Sequence, residues 1–290
     1  MERIPDSLRD LWPHEPRWHA TDAGRMHYVD LGPRNAAPVL LVHGNPSWGF
    51  LWRDLAASLV RRGRRVIIPD HVGMGLSDRP ARFLRLGDRI LHLRSLCDAL
   101  GLEAVDLGVH DWGGAIGLGL AGEQPARFRR LLVTNTAAFP SSRIPARISL
   151  CRAPLVGRFL VERLDGFAWP STWMASERGL SPAVRAGFLA PYGSAARRRA
   201  VADFVADIPL EPAHPTRAML QGVADRLPSL ATHPILLLWG ARDFCFTPHF
   251  HDSFLRLWPA AQSRMLSDAG HYVLEDGGRE AVETASDFLA

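Results

Sequence analysis

The stretch "VHDWGG", Val109 to Gly114, closes the apolar run "EAVDLGVH" (103–110) and opens the small-residue run "GGAIGLGLAG" (113–122). A buried strand running straight into a helix through one sharp turn fits both halves. Such a turn presents a single side chain at its apex. Here that residue is Asp111, a carboxylate in a place suited to a nucleophilic hydroxyl. The turn follows the pattern small-x-nucleophile-x-small. Gly113 meets the second small position and Val109 stands at the first. The strained turn is expected to survive the bulkier valine.

Outward from the turn, further short apolar runs lie at 25–32, 38–44, 65–70, 129–135, 234–240 and 263–268. Most are apolar throughout, as strands buried on both faces should be. Helix-like stretches at 48–62, 87–100, 112–124, 248–257 and 274–289 separate them. The alternation predicts an α/β fold: a mostly parallel central sheet with helices on both faces. From about 138 to 230 the strand rhythm stops, and proline-punctuated helical pieces carry Phe159, Phe167, Trp169, Trp173, Phe188 and Tyr192. That segment reads as a helical cap over a site, its aromatic residues suiting an apolar substrate. The expected division is a core of residues 1–137 and 231–290 with a cap of 138–230.

Composition narrows the function classes. The 290 residues are 47% hydrophobic and 22% charged, an ordinary globular balance. The formal charge is +4, but all 34 basic residues are arginine and they are scattered. Even "RRGRR" (61–65) and "RRR" (197–199) lack interleaved aromatics, so nucleic-acid binding is not expected and the clusters read as solvated helix ends. The three cysteines, Cys97, Cys151 and Cys245, fit neither a disulfide framework nor a zinc site, and Cys151 reads as a small buried hydrophobe. No run is long enough to span a membrane and no leader pattern opens the chain, which points to the reduced cytoplasm.

In open parallel sheets, sites form beyond the carboxyl ends of the strands. Asn45 follows the run at 38–44, Asp111 the run at 103–110, Asp243 the run at 234–240 and His271 the run at 263–268. Nucleophile, acid and histidine in that order match the α/β-hydrolase triad, with carboxylate in place of hydroxyl. A carboxylate is a poor nucleophile toward esters but competent at a saturated carbon bearing a leaving group, where it forms an alkyl ester. Water activated by His271 and oriented by Asp243 can then cleave that ester. Backbone N–H groups of Asn45 and Trp112 are placed to form the oxyanion hole. Their side chains also carry N–H donors that suit a departing anion, although Trp112 could simply pack and Asn45 shape the turn before Pro46.

Other motifs carry less. "GLGLAG" (117–122) resembles a dinucleotide fingerprint but starts two helical turns late and lacks the later acid, so close helix–sheet packing is expected. "GMG" (73–75) reads as a loop. His110 is expected to point away from the nucleophile, as a strand neighbour does. No histidine cluster has ligand spacing, so neither a metal nor a cofactor is expected.

The motifs "HGNPSWGFLWR" (43–53), "DHVGMGLSD" (70–78), "VHDWGGAIG" (109–117), "WGARD" (239–243) and "AGHYVLED" (269–276) resemble the haloalkane dehalogenase branch of the α/β hydrolases. The resemblance implies Asp111 as nucleophile, His271 as base, Asp243 as its partner, Asn45 and Trp112 as the leaving-group pair, and a cap inserted after the sixth strand. Where many dehalogenases hold the acid after that strand, this chain reads "TNTAAFP" with Asn135 and Thr136. Asp243 after the next strand, with asparagine in "HGNP", is similar to the third subgroup. "NTAAFP" (135–140), "DIPL" (207–210), "RDFCF" (242–246) and "HYVLED" (271–276) resemble the β-lactone decarboxylases of bacterial long-chain olefin biosynthesis. That implies a long-chain cis-β-lactone as substrate, an olefin and carbon dioxide as products, and possible assembly with a β-lactone-forming ligase. Haloalkane dehalogenase on the same residues is the alternative. Epoxide hydrolase ranks below it because only Tyr192 among the tyrosines falls in the cap, and a non-catalytic receptor would show a broken triad.

Overall fold

The computed structural model describes residues 8–290. Its eight strands form one sheet in the order β1-β2-β4-β3-β5-β6-β7-β8. They are β1 (Arg17–Thr21), β2 (Gly24–Leu31), β3 (Pro38–Val42), β4 (Arg65–Pro69), β5 (Val105–Asp111), β6 (Phe128–Thr136), β7 (Ile235–Gly240) and β8 (Gln262–Leu266). β1 and β2 run antiparallel to their neighbours and the other strands pair in parallel. The seven apolar runs become β2 to β8. The additional strand β1 has no such run: "RWHAT" lies at the sheet edge with every residue at least partly exposed. An edge strand needs no continuous apolar sequence, so the signal that marks buried strands is absent there.

Helices α1 (Arg53–Arg61), α2 (Leu86–Ala99), α3 (Trp112–Glu123), α10 (Pro248–Leu257) and α11 (Val273–Leu289) sit where the helical patterns predict them. α1 packs on α11 and α2 on α3, so both faces of the sheet are covered. Val39 to Val42, Val105, Leu107 and Val109 are fully buried between these layers. At ~25 cal/mol per Å² of apolar surface this burial is the main driving force of the fold. The glycines of α3 bring that helix onto the sheet. A Cβ at Gly117 would stand 2.6 Å from Val109 Cγ1, so glycine on the helix makes room for the valine in the turn.

Between β6 and β7 come α4 (Ala146–Arg152), α5 (Val156–Leu164), α6 (Ala168–Met174), α7 (Pro182–Leu189), α8 (Ala195–Ala206) and α9 (Arg217–Arg226), and no strand. α4, α5 and α8 pack on one another and α6 on α7, whereas α9 rests on α2 and α3. Among the described residues no helix is long and apolar enough to cross a membrane, and no group of three His, Cys, Asp or Glu could hold a metal ion.

The "RRGRR" cluster departs from the expected solvated helix end. Arg61 and Arg62 are exposed, but Arg64 is buried against Asp106, and Arg65 forks onto Asp30 at 2.9 and 3.0 Å. Arg53 grips Glu275 likewise, at 2.5 and 2.7 Å. Bidentate geometry of this kind needs the planar guanidinium that arginine supplies and lysine does not.

Candidate active site

Asp111 ends β5 at φ +53° and ψ −129°, a conformation L-residues rarely adopt. The surrounding backbone leaves no space to relax. A Cβ on Gly44 would stand 2.0 Å from Asp111 Oδ1, and one on Gly113 2.2 Å from the Val42 carbonyl. The Thr136 hydroxyl donates to the Asp111 carbonyl and holds the turn from the β6 side. Val109 at the first small position has not prevented the turn.

The backbone N–H of Asn45 donates to Asp111 Oδ1 at 2.6 Å, and that of Trp112 also reaches the carboxylate. The two donors converge because β3 and β5 are adjacent and end together. His271 Nε2 lies 3.9 Å from Asp111 Oδ2, and His271 Nδ1 bonds Asp243 Oδ2 at 2.8 Å. Asp111, His271 and Asp243 therefore form one contiguous line assembled from three strand ends.

Burial sets the charges along that line. It pushes the Asp111 carboxyl up to about 6, against the pull of His271 and the two N–H donors. Burial also disfavours the imidazolium of His271, but Asp243 and Asp111 outweigh it and hold the ring's pKa above the ordinary value. For Asp243, burial favours the neutral acid, yet His271 and its hydrogen-bond donors hold the pKa below the carboxylate norm.

Asp243 is held by more groups than the sequence suggests. Its Oδ1 accepts the N–H groups of Cys245 (2.7 Å) and Phe246 (3.0 Å), and its Oδ2 accepts Asn135 Nδ2 at 2.8 Å. Asn135, at φ +32° on the end of β6, also accepts the Gly240 N–H through Oδ1 at 2.9 Å. The residue noted for lacking an acid is thus the clamp of the acid on the next strand. An amide at the end of an apolar run was the available signal.

His110 leaves the cavity side free, as a strand neighbour should, but it touches the site from behind. Its Nε2 bonds the His271 carbonyl at 2.9 Å, and the ring centroids lie 4.5 Å apart. Burial, and then His271, push its pKa down to about 3, so it is a neutral ring that donates from Nε2. Asp276 was also missed. This buried carboxylate accepts Ser176 Oγ (2.6 Å), Glu177 N (2.9 Å), Arg178 N (3.1 Å) and Gly270 N (2.7 Å). It ties the segment between α6 and α7 to the loop that carries His271.

A cavity of about 800 Å³, including its open mouth, lies over Asp111. Asn45 and Trp112 line it, with Phe139 and Phe246 from the loops after β6 and β7, Phe250 of α10, Ile148 of α4 and Phe167 just before α6. Asn45 Nδ2 donates one hydrogen to the Val201 carbonyl of α8 at 3.3 Å, and the amide's second hydrogen remains for a ligand. The Trp112 indole packs edge-on against Phe204, 5.5 Å between centroids.

The aromatic residues of the insertion do not all face this cavity. Phe167 alone of the six lines it. Phe188 is buried against Tyr272, and the buried Tyr192 hydroxyl donates to the Ser47 carbonyl at 3.3 Å. Phe159, Trp169 and Trp173 are exposed. Proline-broken short helices do not reveal from sequence which side turns inward. Cys151 is buried as expected, whereas Cys245 lines the cavity.

Comparison with known proteins agrees with this architecture. Residues 37–151 match the alpha/beta hydrolase fold family. The chain is 40% identical over 276 residues to the cis-3-alkyl-4-alkyloxetan-2-one decarboxylase of Xanthomonas campestris pv. campestris, covering 91% of this chain and 92% of that protein. It is 36% identical over 290 residues to the decarboxylase of the same name from Shewanella oneidensis, covering 97% and 90%. Haloalkane dehalogenase 2 of Mycobacterium tuberculosis is 34% identical over 277 residues, with 92% of each chain covered. A crystal structure of a haloalkane dehalogenase from Bradyrhizobium elkani superimposes with a TM-score of 0.87 over 95% of this chain and 97% of that one, at 24% identity, a likeness of fold. With its eight-stranded sheet, its aspartate at the strand-to-helix turn and these full-length relatives, the chain belongs to the α/β-hydrolase family, in the group that holds the oxetanone decarboxylases and the haloalkane dehalogenases.

Proposed function

We propose that the protein is a β-lactone decarboxylase that converts cis-3,4-dialkyl oxetan-2-ones to olefins and carbon dioxide, with Asp111 as nucleophile. The observation that carries the reading is the 40% identity to an enzyme named for that substrate, combined with a carboxylate at the turn. Oδ1 accepts the N–H of Asn45, and Oδ2, the oxygen nearest His271 Nε2, is taken as the attacking atom. It bonds to the ring carbon that bears the ring oxygen. That carbon–oxygen bond breaks with its electron pair and frees a carboxylate on the neighbouring carbon. The side-chain N–H groups of Asn45 and Trp112 receive the new anion. The carbon–carbon bond to the carboxylate then breaks, and its electrons form the double bond as the ester bond returns its pair to Asp111. His271, held by Asp243, stabilises the returning carboxylate. Neither water nor a proton is consumed.

A second reading, haloalkane dehalogenase, draws on the same N–H pair lining the cavity, which suits halide as well as carboxylate. The two differ in the fate of water. Hydrolysis of the ester at its own carbonyl carries a water oxygen into Asp111; decarboxylation does not. After many turnovers of a β-lactone in water labelled with oxygen-18, the peptide containing Asp111 is expected to keep its unlabelled mass. A labelled Asp111, or halide release from 1-bromoalkanes with no olefin from the lactone, would overturn the decarboxylase reading. The epoxide hydrolase reading finds no support, since Tyr192 is turned to Ser47.

The nucleophile acts as a carboxylate, and burial pushes Asp111 up to about 6. kcat/KM is therefore expected to rise with pH up to about 6 and to level off above it, as a pH–rate profile would show. Residues 138–230 are assigned as the cap and 1–137 with 231–290 as the core, the cap's last helix α9 resting on the core. The reading also includes the reduced cytoplasm as compartment and a β-lactone-forming ligase as partner. The three unpaired cysteines support the first, and family resemblance alone supports the second.

A further inference from the structure

We propose that the outward face of α4, α5 and α6, which adjoins the cavity, is a docking surface for an anionic lipid bilayer. Of the ten large apolar side chains exposed among the described residues, seven lie between Leu150 and Trp173. Their concentration in one 24-residue segment sets it apart from scattered exposed leucines. α5 is apolar on both sides: Gly157 and Val161 are buried inward, while Val156, Phe159 and Leu164 face out. On α6, Trp169 and Trp173 stand one turn apart, 49% and 43% exposed, their rings in edge contact at 3.9 Å. In the turn between α4 and α5, Leu155 is 85% exposed at φ +61°, a conformation that a bulky residue adopts at a cost.

Charge chooses the occupant. Residues 143–173 hold five arginines against two carboxylates. Glu162 is occupied by Arg158, and Asp165 by Arg198 and the Trp169 N–H. The exposed Arg143, Arg147 and Arg163 make no ion pair with a carboxylate among the described residues, Arg147 only overlying Phe244. Short helices with Trp, Phe and Leu flanked by unpaired arginines have the composition of interfacial segments that sink into the headgroup layer of an anionic membrane. The face also adjoins the cavity, because Ile148 of α4 and Arg143 and Ile144 just before it line that cavity. An apolar substrate could pass from bilayer to cavity without crossing water. The inference stands whichever electrophile the site accepts.

The test is flotation of the purified full chain with phosphatidylcholine vesicles, with and without roughly a third phosphatidylglycerol. Wild-type protein is expected to float with the anionic vesicles, to bind neutral ones at least about tenfold more weakly, and to be released by salt. Phe159→Ser/Trp169→Ser/Trp173→Ser and, separately, Arg147→Glu/Arg163→Glu are each expected to weaken anionic binding by about tenfold or more. Unchanged melting and unchanged turnover of a short, water-soluble substrate would show that both variants are folded. No flotation, flotation indifferent to phosphatidylglycerol, or flotation untouched by either variant would overturn the proposal. So would sedimentation showing that the apolar face joins two copies of the chain.

Discussion

Asp111→Ala is expected to lower olefin formation from a cis-3,4-dialkyl oxetan-2-one by ~10⁴-fold or more, measured by gas chromatography of the product. In the proposed mechanism covalent catalysis passes through this one oxygen, and no neighbour can replace it. Cys245 also lines the cavity, but burial, and then Asp243 and Asp111, hold its thiol well above the ordinary value, so it stays protonated and unreactive. The same variant should be more stable than the wild type. A carboxyl whose folded pKa is raised from 3.8 to about 6 favours the native state while protonated; that contribution is lost as pH rises through about 6. Alanine removes the buried charge, so the gap in Tm should be small near pH 4 and widen by roughly 3–5 °C toward neutrality. Loss of activity without that gain in Tm would argue against a charge held at a cost for catalysis. Activity within tenfold of wild type would place the nucleophile elsewhere.

Asp243→Asn is expected to lower kcat/KM by ~10²-fold or more, because the imidazolium that stabilises the returning Asp111 carboxylate loses the charge that favours it. Here the substitution also meets a crowded acceptor. Asp243 receives hydrogen bonds from Asn135, Cys245, Phe246 and His271, all of which donate. An asparagine offers one oxygen to these donors and turns its own N–H groups toward others. Unpaired buried donors of this kind cost ~1–3 kcal/mol each, so a lower Tm should accompany the loss of rate. A purely structural role would leave the histidine's titration in place. Since Asp243 holds the His271 pKa up, the ring signal in NMR should titrate at lower pH in the variant. An unshifted titration with a lowered Tm would reduce Asp243 to a structural residue.

Much of this site was legible because its members mark strand ends. Asp111, Asp243 and His271 each follow an apolar run, and a parallel sheet brings the carboxyl ends of its strands to one edge. Asn45 and Trp112 were legible for the same reason. Asn135, His110 and Asp276 were not. Their partners Asp243, the His271 carbonyl and the residues 176–178 are all far along the chain. No spacing rule links a buried polar side chain to a partner that only the packed sheet and insertion bring within 3 Å.

The sequence by itself determined the buried strands, the five helices that flank them, the insertion point and the carboxylate at the strand-to-helix turn. Each is written locally, as apolar runs, helical periodicity, a break in rhythm and small residues around one carboxylate. Tertiary structure alone decided the edge strand β1, whose residues are too exposed to carry an apolar signal. It alone turned Phe167 inward and Phe159, Trp169 and Trp173 outward, because short helices broken by proline take their orientation from neighbours rather than from their own period. It also set the charge state of Asp111, since desolvation depends on everything packed around the carboxylate and not on its place in the chain.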